Sequence, residues 1–223
     1  MFVIIEKMYR KEVDHLKPKI SETIIDYVNT VCSFIALNLV FIVCCIPIVT
    51  IGPAIAALYQ VTMKEARGEY GYLIRSYWKH FKEMFWQALF TFLLLVFLIM
   101  LLAFVIVFWK SLDSAFSFAA IILSYLCILH VIMVTIYAFP LMARFKNTFT
   151  QTIKNAFFVS LTNLKFSFII LIANVFEVSL IYLFTPMRVF MFFIGFSFFA
   201  YCNSFLFNKF FQKFEPITSP EIG

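Results

Sequence analysis

The chain has 223 residues, 63% of them hydrophobic and 13% charged, with a formal net charge of +6. A soluble domain carries about 45–50% apolar and about 25% charged residues, and a chain this short cannot hide the excess in a core. The composition excludes an ordinary soluble domain. It also argues against nucleic-acid binding, because the basic residues fall in short stretches between apolar runs and no groove-reading module is present.

In chain order, Glu6 to Asp26 is a dense charge mixture unlike a cleavable leader, so the first span is expected to act as an uncleaved signal. From Val28 to Met63 no residue is charged, and these 36 residues are too many for one spanning helix. The middle reads Pro47-Ile48-Val49-Thr50-Ile51-Gly52-Pro53. Proline breaks a helix interior but suits a first turn, so one helix is expected to end near Ile46 and another to start at Pro53. The second run is short enough to be a re-entrant half-span, which protein would have to cover.

Tyr70 to Phe85 places Arg75, Lys79 and Lys82 at helical spacing among Ile74, Tyr77, Trp78 and Phe81. That pattern predicts a basic amphipathic helix at a membrane surface. Gln87 to Phe108 reads as a span between Trp86 and Trp109, and Lys110 to Ser114 as a tight turn. Ala115 to Phe139 is the next span, ended by Pro140 and followed by Arg144 and Lys146. Asn147 to Asn163 reads as a second interfacial helix, faintly echoing the first. Phe166 to Thr185 is a further span, Pro186-Met187-Arg188 its turn, and Val189 to Phe207 the last span.

The expected fold is all-α: a single polytopic bundle over residues 1–223, with about six membrane segments and two cytosolic amphipathic helices. The first two segments form the Pro/Gly-broken hairpin, and five spans is the alternative. If that hairpin enters and returns, all but Lys110 and Arg188 of the 18 Lys and Arg residues lie on one side. The positive-inside rule then places residues 1–27, the loops and the tail 208–223 in the cytosol.

Glu177 is the charged residue set inside a span, where a carboxylate is costly, and Asn174 shares its helical face. Together with His130 they could line a polar path. Asn38 and Asn203 are also intramembrane amides, which mostly bond between helices. The alternative for all five is structural glue. Gly52 and Ala56 give the small-residue spacing of close helix approach. Cys32, Cys44, Cys45, Cys127 and Cys202 fall in apolar runs without a CxxC pair and read as packing residues. No catalytic, metal-binding or cofactor pattern is found, so an enzyme is not expected.

The run Cys45-Ile46-Pro47-Ile48-Val49-Thr50-Ile51-Gly52-Pro53-Ala54, then Ala56-Ala57-Leu58-Tyr59, Arg67-Gly68-Glu69 and Gly71-Tyr72, resembles the signature of the YesL family. Phe139-Pro140-Leu141-Met142-Ala143-Arg144-Phe145 and Lys154-Asn155-Ala156 resemble its second cytosolic stretch. The resemblance implies a small integral protein of the bacterial plasma membrane, associated with carbohydrate uptake and without assigned activity. Glu65-Ala66, with Gly71 beyond, also faintly resembles the loop by which importer permeases touch their ATPase. The expectation is a non-enzymatic accessory to a sugar-import complex, docking its permease or ATPase through Glu65, Arg67, Arg75, Lys79, Lys82, Arg144 and Lys146. The alternative is a small-solute carrier or channel with its path around Glu177.

Overall fold

The computed structural model describes residues 28–112 and 115–214. The charged segment 1–27, part of the Lys110–Ser114 turn and the last residues of the tail lie outside them. The described residues are helical throughout, without a strand.

Helix α1 is Val28–Cys45. A short 3-10 turn, Ile48–Thr50, leads into α2 (Ile51–Glu65), and α3 (Leu73–Glu83) follows. Then come α4 (Phe85–Lys110), α5 (Ala115–Arg144), α6 (Phe149–Thr162) and α7 (Leu164–Leu183). Helix α8 (Thr185–Phe190) runs through a π-helical segment, Met191–Gly195, into α9 (Phe196–Phe211), and the described residues end on a 3-10 turn, Gln212–Phe214. Among the described residues five helical runs are long and apolar enough to cross a membrane: α1, α4, α5, α7 and the continuous run Thr185–Phe214. At 15 residues, α2 is only about 22 Å long and falls short of a span.

The break between α1 and α2 follows from local chemistry. Pro47 cannot donate a backbone hydrogen bond and ends the α1 ladder. Thr50 answers the carbonyls left over: its hydroxyl donates to Cys44 O at 2.6 Å and to Pro47 O at 2.7 Å. Pro53 sits in the first turn of α2, where a missing N–H costs nothing.

The turn does not reach the far end of the bundle. Gly52 packs so closely on α4 that a Cβ there would lie 2.5 Å from Phe92 Cβ and 2.7 Å from the Ala88 carbonyl oxygen. Phe92 is only about 10 Å along α4, a helix of about 39 Å. The start of α2 therefore lies roughly a quarter of the way up α4, and the turn before it a few residues further along.

Helix α2 is the hub. Ala54, Ala57, Leu58 and Val61 pack with Phe34, Leu37 and Phe41 of α1 and with Leu73 and Tyr77 of α3. Ala56 packs with Ala88, Phe139 and Met142. The ends of α2 and α9 meet through polar contacts: Thr62 and Ser204 hydroxyls at 2.8 Å, and the Asn208 amide donating to Met63 O at 2.9 Å. This end also gathers Lys64, α3, Arg144 and α6, and is called the basic end below.

Three boundaries differ from the sequence reading. Pro140 does not end its helix, because α5 runs on to Arg144. Residues 139, 141, 142 and 143 are buried there, so packing outweighs one lost backbone bond. Pro186 falls in the first turn of α8, leaving Phe184 alone as the break after α7. The tail does not begin at Asn208: α9 continues to Phe211, with Phe207, Phe210 and Phe211 in the main core cluster. The echo between the interfacial helices has a structural counterpart. Helices α3 and α6 each pass through a single non-helical residue, Met84 or Asn163, into a long helix.

Candidate functional site

A cavity of about 450 Å³ opens beside the α1–α2 turn, between α7 and α9. Its polar lining is Asn174 and Glu177 from α7, Asn203 from α9 and Tyr59 from α2, set among Phe41, Ile55, Leu58 and Phe196. Asn174 turns its amide nitrogen to Ile170 O at 2.8 Å, so the amide oxygen is what it offers the cavity. The Tyr59 hydroxyl faces the buried Asn203 amide, with Glu177 nearby. Among the described residues Glu177 has no hydrogen-bond or ion-pair partner. A carboxylate, two amides and a phenol in an apolar wall can bind a small polar or cationic group. They do not form a nucleophile and base, and no metal-holding cluster occurs among the described residues.

The structure thus joins three of the five intramembrane candidates and separates two. His130 packs edge-on against Phe157 of α6, ring centroids 4.7 Å apart, and its Nε2 is buried without a hydrogen-bond partner. It does not line the cavity with Glu177. Asn38 has a structural task. Its amide donates to Met191 O at 3.1 Å and Phe192 O at 2.8 Å, and its oxygen accepts from Ser197 N at 3.0 Å. These are the backbone groups that the π segment leaves off register, so Asn38 ties α1 to that irregularity. Tyr59 was missed as a site residue, although it stands in the signature run. Only the tertiary fold turns it toward Glu177.

At the basic end, the α3 residues divide cleanly. Leu73, Tyr77 and His80 are buried, while Arg75, Lys79 and Lys82 are exposed. His80 accepts from the Lys64 ammonium at Nε2, 3.1 Å, and donates from Nδ1 to Glu83 at 3.0 Å, the tautomer that satisfies both. Burial pushes the His80 imidazole below its ordinary 6.5, Lys64 and Lys79 add to this, and Glu83 opposes it. Arg67 is not a free docking cation: it bonds Glu69 and reaches Asn208 at 3.3 Å, bracing the α2–α3 loop on α9. Its guanidinium holds the Glu69 carboxyl below the usual carboxylate range. Glu65 is half-buried at the end of α2. Arg144 and Lys146 line a separate pocket with His80 and Glu83.

The fold defines the class as a polytopic helical membrane protein. Residues 34–106, which run from α1 into α4, match the model of a family described as a protein of unknown function, DUF624. No curated protein matches the chain, and no solved structure does.

The depressed His80 pKa carries a sign. Neutral His80 is favoured in the fold, so its contribution is present above the unfolded pKa near 6.5 and is lost as pH falls below it. The thermal stability of the detergent-solubilised protein is expected to fall on acidification below that value. His80→Gln is expected to flatten the fall, and an identical profile in the variant would contradict the assignment.

Proposed function

We propose that this protein is a non-enzymatic accessory subunit of a bacterial carbohydrate-uptake system, held in the plasma membrane with both termini in the cytosol. The residue runs that resemble the YesL signature and the DUF624 match over residues 34–106 support this reading. The observation that carries it is the construction of α3. Leu73 and Tyr77 seat the helix against α1 and α2, so the exposed Arg75, Lys79 and Lys82 form a rigid basic face. A fixed row of cations on short, ordered backbone loses little entropy on docking an acidic surface, such as that of a permease or its ATPase. The double variant Arg75→Glu/Lys79→Glu is expected to lose co-purification with an importer subunit while inserting and melting normally. Unchanged association would remove α3 as the docking face.

A second reading rests on the Glu177 cavity. Interrupted helices beside a polar intramembrane site are the construction of many transporters. Here residues on both sides of the broken hairpin, Cys45 and Ile51, line the cavity with Glu177, Asn174 and Asn203, and the π segment ends just before Phe196, which lines it too. In this reading Glu177→Gln abolishes solute flux in proteoliposomes without loss of folded protein. Flux that survives the substitution would rule that path out.

A further inference from the structure

The cavity beside the α1–α2 turn follows from side-chain size along α7 and α9. Near the start of α7, Phe166 stacks on Phe210 with ring centroids 4.2 Å apart, and Ile170 packs in one cluster with Phe207 and Phe210. These large side chains set the spacing of the two helices. Further along, Asn174 and Glu177 of α7 share the cavity with Asn203 and Ala200 of α9. The smaller α9 side chains do not refill the spacing, and about 450 Å³ is left. That volume falls within the roughly 300–1,000 Å³ of small-molecule sites.

The chemistry of the wall is one-sided. Glu177 is the carboxylate of the lining, and no Lys, Arg or His lines the cavity with it. It has no hydrogen-bond or ion-pair partner among the described residues. A carboxylate among apolar side chains is costly unless a cation joins it. The Asn174 amide oxygen adds an acceptor one turn earlier, because its nitrogen is used on Ile170 O. The Phe41 and Phe196 rings, with centroids 5.5 Å apart, supply aromatic surface of the kind that attracts cations. A bare divalent metal ion needs about six or more oxygens, which this lining does not hold. A sugar would leave most of its hydroxyls unpaired against isoleucine, leucine and phenylalanine.

We propose that this cavity binds an amphipathic organic cation, with a primary ammonium on Glu177 and the Asn174 oxygen and an apolar body against Phe41 and Phe196. An ammonium carries three donors and no acceptor. The two oxygens of the Glu177 carboxylate and the amide oxygen of Asn174 match that set. The apolar body covers the wall that a small inorganic ion would leave bare. The proposal names a solute class for the cavity and rests on the second reading above only in taking the cavity as the solute's site. Binding is measured apart from transport, so that either can fail without the other.

The test titrates 2-phenylethylamine, a primary ammonium at neutral pH, into the full chain in phosphatidylcholine nanodiscs by calorimetry, with empty nanodiscs subtracted. Its neutral counterpart is 2-phenylethanol. Saturable binding of the amine is expected, about tenfold or more tighter than the alcohol, because the ammonium adds charge-assisted bonds. Glu177→Gln is expected to abolish that preference, so that amine and alcohol bind alike. Asn174→Leu is expected to weaken the amine by roughly fivefold. The Asn174 amide bonds only its own helix backbone, so this variant keeps the test decisive even if Glu177→Gln does not fold. Glu83→Gln, a carboxylate outside the cavity, is expected to change nothing. No saturable amine binding, or equal binding of the alcohol, overturns the proposal. So does amine binding that is unchanged in Glu177→Gln or Asn174→Leu. Amine binding lost in Glu83→Gln overturns it too, as attraction to carboxylates elsewhere on the chain. Binding of the amine without its flux into proteoliposomes upholds the ligand class and removes the carrier reading.

Discussion

Backbone that breaks between two apolar helices must have its polar groups met by protein, and this constraint shapes the α1–α2 turn. The 46–52 turn meets it from two sides. Thr50 donates to the carbonyls of Cys44 and Pro47, and Gly52 lets the start of α2 lie directly against the α4 backbone. The short α2 lies in the middle of the bundle, packed against α1, α3, α4, α5 and α9. Ala54, Ala56 and Ala57 are fully buried, and small side chains are what let three helices close around one. Charge can then collect at the end of α2 without any of it entering the core.

Helix α2 also separates the two cavities. Tyr59 looks into the Glu177 cavity, and the next residue, Gln60, into the cavity at the basic end. One turn on, Lys64 holds His80. Neighbouring residues on a single helix therefore line both cavities. A tilt of α2 would be felt by both, and the α2–α9 bonds at Thr62 and Met63 oppose such a tilt.

Much of this was legible in the chain, and the failures have a common cause. The long helices follow from hydropathy alone, and the broken hairpin from Pro47, Gly52 and Pro53. Pro140 and Asn208 misled because local rules say stop at a proline and at a polar residue. Pro140 lies in a densely buried stretch, and the Asn208 amide answers Met63 O rather than water. The pairing of Asn174 with Glu177 is written in their spacing of three. The arrival of Asn203 and Tyr59 beside them, and the departure of His130 to Phe157, depend on how distant helices pack. Spacing within one helix carries no trace of that. The His80–Glu83 contact could have been read from its i,i+3 spacing; its link to Lys64 could not.

The central claim is that the α1–α2 hairpin turns inside the membrane. Spin labels placed singly at Ile48, Phe97 and Phe108 on a background with the five cysteines replaced would report their depth in liposomes. All three side chains are exposed on the outside of the bundle, so labels there disturb little. The account predicts that the label at position 48 is as shielded from a water-soluble relaxant, and as open to oxygen, as the label at position 97. A label at position 48 as water-accessible as that at position 108, near the far end of α4, would show a full crossing and contradict it.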